Sequence, residues 1–63
     1  MNREEERLFY QGIRRLISDC KCGDISKTRN AAIEQVQVIT KRGEFTSEQM
    51  YLACVYIFKK FDY

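Results

Sequence analysis

No proline interrupts this chain, and two of its three glycines, Gly23 and Gly43, fall where an apolar pattern of helical period stops and restarts. Proline and glycine are the strongest local breakers of regular structure. Their placement divides the chain into three segments of near-equal length. Each segment carries apolar residues at spacings of three and four, the mark of a helix with one buried face.

In the first segment Leu8, Phe9, Ile13, Leu16, Ile17 and Cys20 form one apolar stripe. Asn2, followed three residues later by Glu5, predicts the helix start, and Glu4, Glu5 and Glu6 suit the positive end of the helix dipole. Gly23 is the predicted stop, a left-handed residue through which the last carbonyls find donors. Gly12 lies within the stripe. Glycine inside a helix costs about 1 kcal/mol relative to alanine, which predicts close approach of a neighbouring helix there.

The second segment begins at Asp24 or Ser26, either of which can cap, and places Ile25, Ala32, Ile33, Val36, Ile39 and Thr40 along one face. Arg29 interrupts that face between Ile25 and Ile33. Its stem is expected to cover the core edge while the guanidinium reaches solvent near Asp24 or an equivalent carboxylate, the alternative being an arginine aimed at a carboxylate or phosphate across an interface. Lys41-Arg42-Gly43 sets cations at the negative end of the dipole with glycine beyond. In the third segment Thr46 and Gln49 form a capping box, with Phe45 and Met50 at the two staple positions.

Helices are therefore predicted over about 3–21, 25–42 and 47–61, in one domain spanning 1–63. Short connections favour antiparallel neighbours. The fold class is all-α, either an up-down-up three-helix bundle or a helix-turn-helix-like arrangement of the same three helices.

Composition narrows the chemistry. Eleven Lys and Arg against nine Asp and Glu leave +2, too little for the field of a non-specific nucleic-acid binder. No run approaches the ~18–20 apolar residues of a membrane span, and the first residues lack the apolar stretch of a signal peptide. Three cysteines, an odd number, fit a reduced thiol set and a cytoplasmic protein. Cys20 and Cys54 read as unpaired core residues and Cys22 as an exposed thiol. The chain has no histidine, the commonest general base and transition-metal ligand. Cys20-Lys21-Cys22 is half of a zinc site, which only Cys54 and carboxylates remain to complete. No enzyme activity, metal or cofactor is expected.

The third helix carries more apolar surface than a peripheral helix needs. Met50, Ala53, Cys54, Ile57 and Phe61 make a core face, with Phe58 at its edge. Leu52, Val55, Tyr56 and Lys59 fall at i, i+3, i+4 and i+7 and form a second stripe beside Tyr51. Either this helix is wedged between the other two, or the second stripe meets another chain. A core of this size contributes only about 3–5 kcal/mol, so sharing one is favourable, and a two-fold homodimer is the commonest closed solution. Tyr10, Tyr51, Tyr56 and Tyr63 suit an interface, combining apolar area with a hydroxyl that tolerates water.

The expected function is that of a small non-enzymatic regulatory protein that self-associates and docks on a protein partner to modulate or inhibit it. Tyr51, Leu52, Val55, Tyr56 and Lys59 are the expected interface, with Arg29 and Tyr10 as outlying members. Docking through an apolar stripe would be nearly independent of salt. The alternative is a dimeric DNA-binding regulator. It would read bases with the solvent face of helix two (Lys27, Thr28, Asn30, Ala31, Glu34, Gln35, Gln37, Lys41) and hold phosphates with Arg14, Arg15 and Lys21. Its affinity would fall steeply with salt, and Glu34 would oppose it.

Overall fold

In the computed structural model, which describes residues 2–61, three α-helices follow one another: α1 (Arg3–Asp19), α2 (Ile25–Lys41) and α3 (Ser47–Lys60). The chain is an all-α three-helix domain, and each helix ends one or two residues before its predicted limit. Tyr63 lies outside the described residues.

Each helix starts at a side chain that accepts a backbone N–H left over by the first turn. Asn2 Oδ1 accepts from Glu5 N–H at 2.8 Å, and Asp24 Oδ1 accepts from Lys27 N–H at 2.7 Å, so Asp24 rather than Ser26 is the cap. The predicted capping box of α3 is complete. Thr46 Oγ1 accepts from Gln49 N–H at 3.1 Å and Gln49 Oε1 accepts from Thr46 N–H at 2.9 Å.

The helix ends divide into two kinds. At the end of α2, Gly43 is left-handed (φ +84°), its N–H donates to Thr40 C=O at 3.0 Å, and Glu44 N–H donates to Ile39 C=O at 3.2 Å. This pair of bonds is the Schellman arrangement. The prediction for Gly23 is corrected. Gly23 is left-handed (φ +47°) but lies beyond the end of α1. The last turn of α1 tightens instead, with Cys20 N–H shared between the carbonyls of Leu16 and Ile17 and Lys21 N–H donating to Ser18. Gly23 serves the next element, turning the chain into the cap at Asp24.

Thr28 is a second correction, because it is buried and does not face solvent. Its hydroxyl accepts from Cys22 N–H at 3.1 Å and lies within donating distance of the carbonyls of Asp24 (2.9 Å) and Cys22 (3.3 Å). One side chain thus ties the α1–α2 connection to the first turn of α2. Thr28, Ala32 and Val36 sit at i, i+4 and i+8, so the helical period contained this residue and its polarity disguised it.

The core takes two residues from each helix: Ile13 and Ile17, Ala32 and Val36, Ala53 and Ile57. Phe9, Leu16, Cys20, Ile33, Phe45, Met50, Cys54, Tyr56 and Phe61 pack around them. The alanines are fully buried on α2 and α3, and small residues at a helix contact let the two axes draw together. Accordingly α2 and α3 are the most extensively packed pair and α1 and α3 the least. Helix α3 is therefore not wedged evenly between its neighbours; it leans on α2.

Three further expectations change. Leu8, at 55% exposure, falls off the α1 stripe because it is rotated away from Ile13 by more than a third of a turn; Ile25, the first residue of α2, is 49% exposed. Phe58, expected at the core edge, is 52% exposed. At Gly12 nothing approaches, since an added Cβ would meet no atom within 4 Å.

Two stability measurements follow. Ile57→Ala removes buried methyl groups at the centre and is expected to cost about 2–5 kcal/mol. That equals most of what a domain of this size has, so urea titration followed by circular dichroism should find the variant largely unfolded. Gly12→Ala, exposed in mid-helix with open space around it, should raise stability by about 1 kcal/mol. An unchanged or lowered urea midpoint would contradict an unobstructed Gly12.

Candidate functional site

Where α1 and α3 stand apart, their facing flanks enclose a groove of about 750 Å³. From α1 come Arg3, Glu6, Arg7, Tyr10 and Arg14, which recur at i, i+3, i+4, i+7 and i+11 and so share one side of the helix. From α3 come Leu52, Val55, Tyr56 and Lys59. The tyrosines bridge the two walls, with ring centroids of Tyr10 and Tyr56 5.3 Å apart at an interplanar angle of 38°. Tyr56 also packs against the core.

This floor is held from behind by a run of rings. Phe9 meets Tyr10 edge-on at 5.1 Å and Phe45 at 5.4 Å. Edge-to-face pairs at such distances contribute beyond the area they bury. Phe45, at the staple position of α3, thereby couples the α2–α3 connection to the groove. The rim is cationic: Arg3, Arg7, Arg14 and Lys59 are exposed, as is Glu6, the one acidic residue among them.

Five of the seven residues expected at an interface meet here: Tyr10, Leu52, Val55, Tyr56 and Lys59. The other two lie apart. Tyr51 is 66% exposed on the outer side of α3, two turns from Phe58 on the same flank. Arg29 does not reach out beside Asp24; its guanidinium carbon lies 5.9 Å from the centre of the Phe58 ring, within the range of a cation–π contact. Its Nε is buried without a hydrogen-bond partner. The ring attracts the guanidinium face without offering an acceptor, which accounts for both observations.

Sequence reasoning missed Arg3, Arg7 and Glu6 as groove residues. Their spacing from Tyr10 was readable, but an outward charged flank of α1 looks the same whether it faces solvent alone or borders an apolar trough.

A second cleft of about 560 Å³ opens at one end of the molecule, among Arg14, Ile17, Lys21, Ile25, Lys60 and Phe61. Of the N–H groups in the first turn of α2 beside it, that of Lys27 is already engaged by the Asp24 side chain. The three thiols are unpaired. Burial pushes the Cys20 thiol above its ordinary pKa, reinforced by the negative charges of Asp19 and Cys22, and burial alone pushes up Cys54. These two are poor nucleophiles, since the thiolate is the reactive form. Among the described residues no three His, Cys, Asp or Glu side chains converge as metal ligands would.

Thiol chemistry tests this local picture. Alkylation of the folded protein should modify exposed Cys22 first and Cys20 and Cys54 slowly, with the slow pair accelerating only above the pH at which ordinary thiols ionise, about 8.5. The sign for stability follows. A raised folded-state pKa contributes fully below that pH and is lost as pH rises through the folded value, so unfolding midpoints should fall on the alkaline side. Equal labelling rates for all three thiols, read by mass spectrometry, would contradict it. Compared with known protein families, with curated proteins and with solved structures, the chain matches none.

Proposed function

We propose that this chain is a non-enzymatic interaction protein that self-associates along α3 and docks on a protein partner, modulating or inhibiting it. The observation that carries the reading is the uncovered apolar face of α3. Tyr51, Val55 and Phe58 lie at i, i+4 and i+7, with Tyr51 and Phe58 more than half exposed, and Leu52 and Val55 extend the face into the groove. Among the described residues the buried apolar side chains number six, too small a core to explain leaving this much apolar area in water unless a second surface covers it.

A regulator of this kind acts by occlusion, since its chemistry lies in shape, apolar area and rim charge. Cytoplasmic residence belongs to the proposal; what supports it is that no helix among the described residues is long and apolar enough to cross a membrane and that the thiols are unpaired. The alternative of a DNA-reading α2 is weakened. Thr28 is spent on its own backbone bonds and Ala31 is half-buried, which removes two members of the supposed reading face.

Sedimentation equilibrium under reducing conditions, over a wide concentration range and at two salt concentrations, tests the self-association. The wild-type chain should sediment at twice its own mass. Val55→Glu, a charge set in the middle of the α3 face, should return it to the single-chain mass with its helical circular dichroism intact. A wild-type monomer at every concentration would remove self-association from the reading.

A further inference from the structure

The α1–α3 groove differs from the rest of the surface in charge. Arg3, Arg7, Arg14 and Lys59 against Glu6 give it three net positive charges, whereas the whole chain carries +2. Everything outside the groove therefore sums to −1. Net positive charge therefore gathers around this apolar trough, although composition alone describes a nearly neutral surface.

That distribution selects the occupant. A second copy seated groove to groove across a two-fold axis would set three positive charges against three, a like-charge juxtaposition that disfavours the pairing. The walls are two helices, running about 16 Å from Arg3 to Arg14 and about 10 Å from Leu52 to Lys59 at 1.5 Å per residue. A trough between helices accepts the ridge of a further helix. We propose that the groove binds an acidic amphipathic helix of a protein partner, its apolar ridge on Leu52, Val55 and Tyr56 and its carboxylates on the arginine rim. This rests on the reading of the chain as a docking protein and adds the chemistry of what docks.

A nucleic-acid strand fits less well. Base stacking requires open ring faces, and here Tyr10 and Tyr56 pack on each other while Tyr56 also packs on the core. The rest of the floor is aliphatic, and Glu6 stands among the cations where a phosphate chain would pass. In a peptide complex Glu6 instead specifies register, favouring a partner with one basic residue on that flank.

The test uses the intact protein and a fluorescent helical peptide of about 18 residues, five turns, with leucine at i, i+3, i+4 and i+7 and glutamate on both flanks. A twin peptide carries lysine in place of each glutamate. The acidic peptide should bind about tenfold more tightly by fluorescence anisotropy, and raising salt should narrow the gap. Leu52→Ala should weaken its binding, and Ile25→Ala, an exposed apolar position on α2 outside the groove, should not. The double variant Arg7→Glu/Arg14→Glu, changed at exposed positions only, should reverse the preference while keeping its helicity and its sedimentation mass. Equal binding of both peptides would leave a docking groove and overturn the acidic partner. Failure of both to bind would overturn the groove itself. Tighter binding of an oligothymidylate or of phosphatidylglycerol vesicles, abolished by the double variant, would assign the rim to phosphate and overturn the proposal.

Discussion

Helices α2 and α3 close on each other across Ala32, Val36, Ala53 and Ile57, all fully buried, and the remaining features of the molecule depend on that contact. A fully buried alanine on each helix allows the axes to draw near, and close-packed interiors tolerate no gap between them. Ile13 and Ile17 of α1 complete the core, but α1 then has a single stripe to share between two partners. It makes its least contact with α3. The space left on that side is the groove, and its floor consists of the apolar residues that α3 cannot bury on α2.

The same arrangement accounts for the two outer surfaces of α3. On the flank toward α1 the residual apolar area is bounded by α1's charged side, so Leu52 and Val55 lie under a cationic rim. On the flank toward α2, Phe58 lies beneath Arg29 and Tyr51 is left open. One helix therefore offers two apolar surfaces of different electrostatic character. A rimmed surface selects its partner by charge, and an unrimmed one can meet a copy of itself without repulsion. The rim also changes the expected salt response, since docking through an apolar stripe alone would be insensitive to ionic strength and docking beneath four cations is not.

Small polar devices hold the connections. Three side-chain caps, a Schellman turn at Gly43 and the buried hydroxyl of Thr28 satisfy backbone groups that three short helices would otherwise leave exposed at their ends. In a domain with so small a core, each contribution of about 1 kcal/mol is a large share of the total. The unobstructed Gly12 runs against this economy, and nothing in the structure accounts for its choice over alanine.

Local chemistry was legible in the order of residues. The capping box at Thr46 and Gln49, the acidic first turn of α1, the glycine stop at Gly43 and the apolar period of each segment determined three helices and nearly all their limits, because each depends on neighbours within four positions. Five of the seven residues expected at an interface also came together around one groove, since helical spacing alone aligned Leu52, Val55, Tyr56 and Lys59. Tertiary structure decided what lay across from them. Whether Arg7 faces water or borders Leu52, whether Arg29 finds Asp24 or Phe58, and whether Thr28 is outside or inside depend on how closely each pair of helices approaches. That distance is set by side chains more than ten residues apart in the chain, such as Ala32 and Ala53, and no local period encodes it.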